Sequence, residues 1–151
     1  MKRLLYSAIA AAMLSSSAVA VTVDFEAAPL GSLTNFYAGS GVTFSNTTVQ
    51  GFGALPGMSG VHSISSTSAA QFFGIANAVV ASFSSAQSFV AITAIDLGAA
   101  GIRIDAYDAL IGGSLVGFGQ AFGTGLGIGN FAQVSSSSAT IWRVEIYQPL
   151  R

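Results

Sequence analysis

The sequence predicts an all-β protein, a single antiparallel β-sandwich of jelly-roll type with about eight or nine strands, preceded by a signal peptide. Three observations lead there. Beyond residue 20 the apolar side chains recur with a period of two, which is strand spacing. Clusters of Gly, Ser, Pro and Asn interrupt them at the short intervals of an antiparallel sandwich, among them Pro29-Leu30-Gly31-Ser32, Gly39-Ser40-Gly41 and Gly112-Gly113-Ser114. No segment carries a capped amphipathic helical stripe.

The chain opens with Lys2 and Arg3, an apolar run from Leu4 to Leu14, and small residues ending in Ala18-Val19-Ala20. A positive start, a short apolar run and a small-residue end form a secretory leader, so cleavage is expected after Ala20. The run is shorter than the roughly 20 apolar residues of a membrane span. Residues 1–20 are therefore assigned to the signal peptide and 21–151 to the sandwich, with no stable membrane insertion after cleavage.

The first expected strand pairs Val21, Val23 and Phe25 against Thr22, Asp24 and Glu26; the second alternates Val42 and Phe44 with Thr43 and Ser45. Ala78 to Phe83 and Phe89 to Ile95 are more evenly apolar, as for strands in the middle of a sandwich. Ile102 to Tyr107, Ser114 to Phe118, Phe131 to Ser135 and Ile141 to Tyr147 complete the set. Gly51 to Ala70 reads as a long loop with one short strand near Val61 to Ile64.

Two strands echo each other. Arg103-Ile104-Asp105-Ala106-Tyr107 and Arg143-Val144-Glu145-Ile146-Tyr147 share the order base, apolar, acid, apolar, tyrosine. In an extended strand the base, acid and tyrosine lie on one face. As antiparallel neighbours, the two could set Arg103 opposite Glu145 and Asp105 opposite Arg143; unrelated half-buried strands are the plainer reading.

Composition narrows the function. There is no cysteine, so disulfides and thiol nucleophiles are excluded and packing alone must hold the domain. After leader removal three arginines face six acids, a formal charge of −3 with no lysine left, so no basic patch for nucleic acid or anionic lipid exists. Charged residues are 7% of the chain, against roughly 25% in ordinary domains. Such a surface carries little self-repulsion and suits a protein that lives among other polymers.

The one histidine, His62, falls in a Ser-rich stretch, and no Gly-x-Ser-x-Gly elbow is present; serine-triad and histidine-cluster metal chemistry lack their parts. Asp24 and Glu26 would lie about 6.6 Å apart along a strand, but a glycosidase pair needs one buried carboxyl and a cleft between elements. Solvated acids on a strand edge are the default for them, and a Ca²⁺ site is the alternative. The glycines from Gly117 to Gly129 lack the lysine and helix of a phosphate loop, and fit a hairpin or a strand packed against another backbone. Phe36, Tyr37, Tyr107 and Tyr147 are the candidate glycan-stacking rings, with Phe72 and Phe73 behind them. Trp142 shares a face with Val144 and Ile146 and is expected in the core.

The runs VDFEAAPLGSLTNFYAGSGVTFSN at 23–46, FSSAQSFVAITAIDLG at 83–98, IRIDAYDALIGGSLVG at 102–117 and IWRVEI at 141–146 resemble exported bacterial β-sandwich proteins that carry a PEP-CTERM sorting tail. The resemblance implies a Gram-negative envelope or extracellular protein associated with exopolysaccharide and biofilm matrix. It does not extend to the tail, because the sequence stops at Gln148-Pro149-Leu150-Arg151 without the Pro-Glu-Pro motif, apolar helix and basic end. Either a released relative or a chain lacking its sorting tail is expected. The functional expectation is a non-catalytic structural or interaction protein, secreted or periplasmic, with extracellular polysaccharide or matrix proteins as partners. A carbohydrate-binding module, with or without Ca²⁺, and a self-assembling adhesin-like surface protein are the alternatives.

Overall fold

In chain order the strands of the computed structural model are β1 (Gly31–Leu33), β2 (Val42–Ser45), β3 (Thr47–Gly51), β4 (His62–Ser66), β5 (Val79–Gln87), β6 (Phe89–Ala94), β7 (Ile102–Tyr107), β8 (Leu115–Ala121), β9 (Asn130–Ser135) and β10 (Ile141–Tyr147). The structure describes residues 21–53, 60–67, 73–95, 99–123 and 130–149; residues 1–20, on which the expected leader falls, lie outside the described residues. Every pairing is antiparallel. One sheet runs in the order β2-β5-β10-β7-β8, a second in the order β1-β3-β4, and β6 pairs with β9. This is the all-β sandwich that the twofold periodicity predicts.

Alternation builds the core. Val42 and Phe44 of β2, Val79 and Ala81 of β5, Val144 and Ile146 of β10, and Ile102, Ile104 and Ala106 of β7 all point to one side of the five-stranded sheet. Leu33, Val49, Ala132 and Val134 of the two smaller sheets join the same apolar cluster and supply the facing layer. Burying these side chains is the main drive for closing the layers. At Gly119 the layers come so close that an added Cβ would stand 1.9 Å from the Gln133 carbonyl oxygen. The glycines of β8 thus admit a crossing backbone, the second of the two readings that their pattern allowed; residues 124–129 lie outside the described residues.

Several elements depart from expectation. Residues 21–26 form no strand: Phe25 takes φ 65° and its ring packs against Tyr37 and Phe44. Gly31–Leu33 pairs with β3 where a turn was expected. β3 escaped the periodicity because a threonine, Thr47, shares its buried face with Val49. β4 runs to Ser66 because Ser65 and Ser66 are buried without being apolar. β6 is not central; it has β9 as its only partner strand among the described residues, and Phe89 is exposed. β10 shifts register against β5 between Ile141 and Arg143, and Trp142, at that irregularity, is half-buried rather than in the core.

Candidate functional site

The outer face of the five-stranded sheet carries the echo pair. β7 and β10 are antiparallel neighbours, but in a register that sets Glu145 opposite Asp105, Arg143 opposite Tyr107 and Tyr147 opposite Arg103. The cross-strand base–acid pairs that the echo allowed do not form. Each acid is met by the arginine two residues earlier on its own strand: Arg103 Nε lies 2.7 Å from Asp105 Oδ1, and Arg143 Nη1 bonds Glu145 Oε1. Each also accepts a phenol from the facing strand, Tyr147 OH to Asp105 Oδ2 at 2.9 Å and Tyr107 OH to Glu145 Oε2 at 3.4 Å. The result is two interlocked Arg-acid-Tyr sets related by a local twofold.

This register also sets Val144 rather than Trp142 opposite Ala106 on the core face. Two facing carboxylates repel, and the two guanidiniums and two phenols offset that repulsion. The guanidiniums are further tied by stacking, Arg103 over the Phe118 ring at 4.2 Å and Arg143 over Tyr107 at 4.3 Å. Burial first, and then the bond to Asp105, pushes the Tyr147 phenol up to about 12. Burial and then the Glu145 charge raise Tyr107, while the hydrogen bond to Asp105 raises Arg103. Chemically the set works as a lock, since every member is engaged with another.

Beside the lock lies a shallow groove of about 440 Å³, lined by Ala38, Gly41, Thr43, Ser82, Phe83, Ser84, Leu110 and Ile111. Thr43 and Ser82 face each other across β2 and β5, and Ser82 in turn faces Arg143. One wall is the β7–β8 turn. Asp108 Oδ1 accepts the Ser114 N–H at 2.6 Å, Asp108 N–H bonds the Ser114 carbonyl at 3.2 Å, and Arg143 Nη2 bonds the Gly112 carbonyl at 2.9 Å. Gly112 and Gly113 take positive φ of 63° and 84°, the left-handed conformation that closes the turn. So held, the turn projects Leu110 and Ile111 outward, Ile111 with 92% of its surface exposed.

The sequence-predicted residues scatter around this face. Phe36 is 51% exposed and stands edge-on to Tyr37 with ring centroids 4.9 Å apart. Tyr37 is half-buried against Phe25 and Phe44, and immediately precedes the turn Ala38–Ser40 beside the groove. Burial and the charges of Asp24 and Glu26 raise its phenol. Tyr107 lies under Arg143, and Tyr147 is only 8% exposed, so neither offers a bare ring face. Phe73 is half-buried and exchanges bonds with Gln148; Phe72 lies outside the described residues. Sequence reasoning missed Leu110 and Ile111. Their signal was an apolar pair at the apex of a turn whose other residues are Asp, Ala, Gly and Ser.

Asp24 and Glu26 are not paired on a strand. Asp24 Oδ1 accepts the Glu26 N–H at 3.2 Å, and Glu26 Oε1 accepts the His62 N–H at 2.7 Å, which pins the start of β4. His62 Nδ1 lies 3.3 Å from the Phe25 carbonyl oxygen. Among the described residues no three His, Cys, Asp or Glu side chains gather as a metal-holding group, and no helix is long and apolar enough to cross a membrane. No protein-family profile, curated protein or solved structure matches the chain.

Proposed function

We propose that this chain is an exported, non-catalytic interaction domain that works in the exopolysaccharide matrix or envelope of a Gram-negative cell. The observation that carries the reading is the lock. Arg103 pairs with Asp105 and Arg143 with Glu145, so these two acids are held in structural contacts, as Asp24 and Glu26 are by backbone N–H groups. Much of the remaining face is hydroxyls, amides and exposed apolar side chains. Such a surface suits weak, repeated contact with neutral polymers. The leader-like residues 1–20 and the resemblance to PEP-CTERM-type proteins support export. Cell fractionation with N-terminal sequencing tests it: the expected product starts at Val21 and co-fractionates with matrix, whereas an uncleaved intracellular product sinks the proposal.

One observation favours self-assembly as a second reading. Phe89 and Phe131 are exposed on the β6–β9 ribbon, which contains neither charge nor proline. Sedimentation of the purified protein with a Thioflavin assay tests this; a species that stays monomeric and dye-negative at high concentration removes it.

A further inference from the structure

We infer that the groove between the Leu110–Ile111 turn and the Thr43–Ser82 floor is a binding site for a neutral saccharide; this rests on the matrix reading above and gives that reading its contact point. The lining contains no charged side chain. An ionised ligand would lose its hydration there with nothing to replace it. Arg143, the nearest cation by register, has Nη1 on Glu145, Nη2 on the Gly112 carbonyl and its plane over the Tyr107 ring, and its remaining Nε is buried away from the surface. A wholly apolar ligand fits no better, because Ser82 and Ser84 put hydroxyls on the floor that would be left without water, beside a Thr43 hydroxyl that already donates to the Ser82 carbonyl at 3.5 Å. What matches is a molecule with hydroxyls on one side and a C–H face on the other, which is a pyranose.

The walls fit the same chemistry. Leu110 and Ile111 present branched aliphatic surface to the C–H face, above the Ser82 and Ser84 hydroxyls, which can donate and accept. The volume of about 440 Å³ falls in the range of roughly 300–1,000 Å³ typical of small-molecule sites. The turn is held before any ligand arrives, by Asp108 to Ser114 and Arg143 to Gly112, so little ordering cost accompanies binding. An exposed Ile111 gives the fold nothing; as a fixed lip over a hydroxyl floor it gives the ligand a surface. Exposed Phe36, two residues before the Ala38 wall, lies in the same loop.

The test is affinity electrophoresis and calorimetry on the full secreted protein with dextran, galactomannan and neutral gluco- and manno-oligosaccharides, against alginate as the anionic control. The expected result is retention by at least one neutral glycan and none by alginate. Ile111→Ser and Ser82→Leu, with unchanged circular dichroism, should each weaken binding about tenfold or more. Phe131→Ser, in the other layer, should leave it unchanged. Absence of binding to every neutral glycan, preference for alginate, or full binding by both groove variants overturns the proposal. Fractionation separates the two readings: matrix-associated protein with unaltered groove variants refutes the groove alone, whereas intracellular protein refutes the matrix role even where purified protein binds sugar.

Discussion

Tyr147 donates its phenol to Asp105 across the β10–β7 pair at 2.9 Å, and Tyr107 reaches Glu145 in the reverse direction at 3.4 Å. Asp105 is 5% exposed, so its bond is sheltered from water, while the Glu145 bond is longer and nearer solvent. Tyr147→Phe should therefore destabilise by about 1–3 kcal/mol, the range for depriving a buried acceptor of its partner, and Tyr107→Phe by about 1 kcal/mol or less. Urea denaturation of both variants checks the order; equal losses would show that the two bonds are energetically alike.

Alkali should act through the same phenol. Tyr147 is held up at about 12 from an ordinary 10, so between these values the unfolded chain has released a proton that the folded chain keeps. The stabilisation is complete below about pH 10 and is lost as pH rises toward 12, by up to about 1.4 kcal/mol for each step of one in pH. Tyr107 and Tyr37 are raised too and act with the same sign. Denaturation midpoints should fall steeply over this window, and less steeply in Tyr147→Phe. A flat profile contradicts the assignment.

Arg103 compensates a buried carboxylate that faces another acid. Removing it alone, as Arg103→Met, leaves Asp105 with only Tyr147 against Glu145 and should cost about 2–4 kcal/mol; Arg103→Met with Asp105→Leu should recover most of that loss. A double-mutant cycle by thermal unfolding measures the coupling. If the double variant is no better than the single, the arginine serves packing rather than charge.

Close backbone crossing makes a sharper prediction at β8. Gly119→Ala places a methyl 1.9 Å from the Gln133 carbonyl oxygen, and the layers must part, at about 1–3 kcal/mol. Gly39→Ala meets nothing within 4 Å and should be nearly neutral. Parallel melting curves decide it, and a neutral Gly119→Ala would mean that β9 does not cross there.

The strands that could be read from sequence are those whose inward positions are aliphatic, such as Ile102, Ile104 and Ala106 in β7. What was hidden puts hydroxyls on the buried face, Thr47 in β3 and Ser66 at the end of β4, which a hydrophobicity period does not register. The candidate site was half legible. The Arg-acid-Tyr echo raised β7 beside β10 only as the less plain of two readings; the strands are neighbours, but two registers keep the same faces inward, and the choice between them depends on Ala106 meeting Val144 and on two phenols crossing to the acids. The groove was not legible, because Thr43, Ser82 and Ile111 come from three distant segments and are ordinary residues in each.

β10, the latest in sequence of the described strands, occupies the middle of the five-stranded sheet, between β5 and β7. A partly synthesised chain lacking residues 141–147 has no bridge between those two strands and cannot assemble the sheet. The polypeptide thus stays open until that segment emerges, whatever its earlier hairpins do. Under the proposed export, a chain still short of that segment is loose enough to thread a narrow pore and closes the sheet only once residues 141–147 have followed.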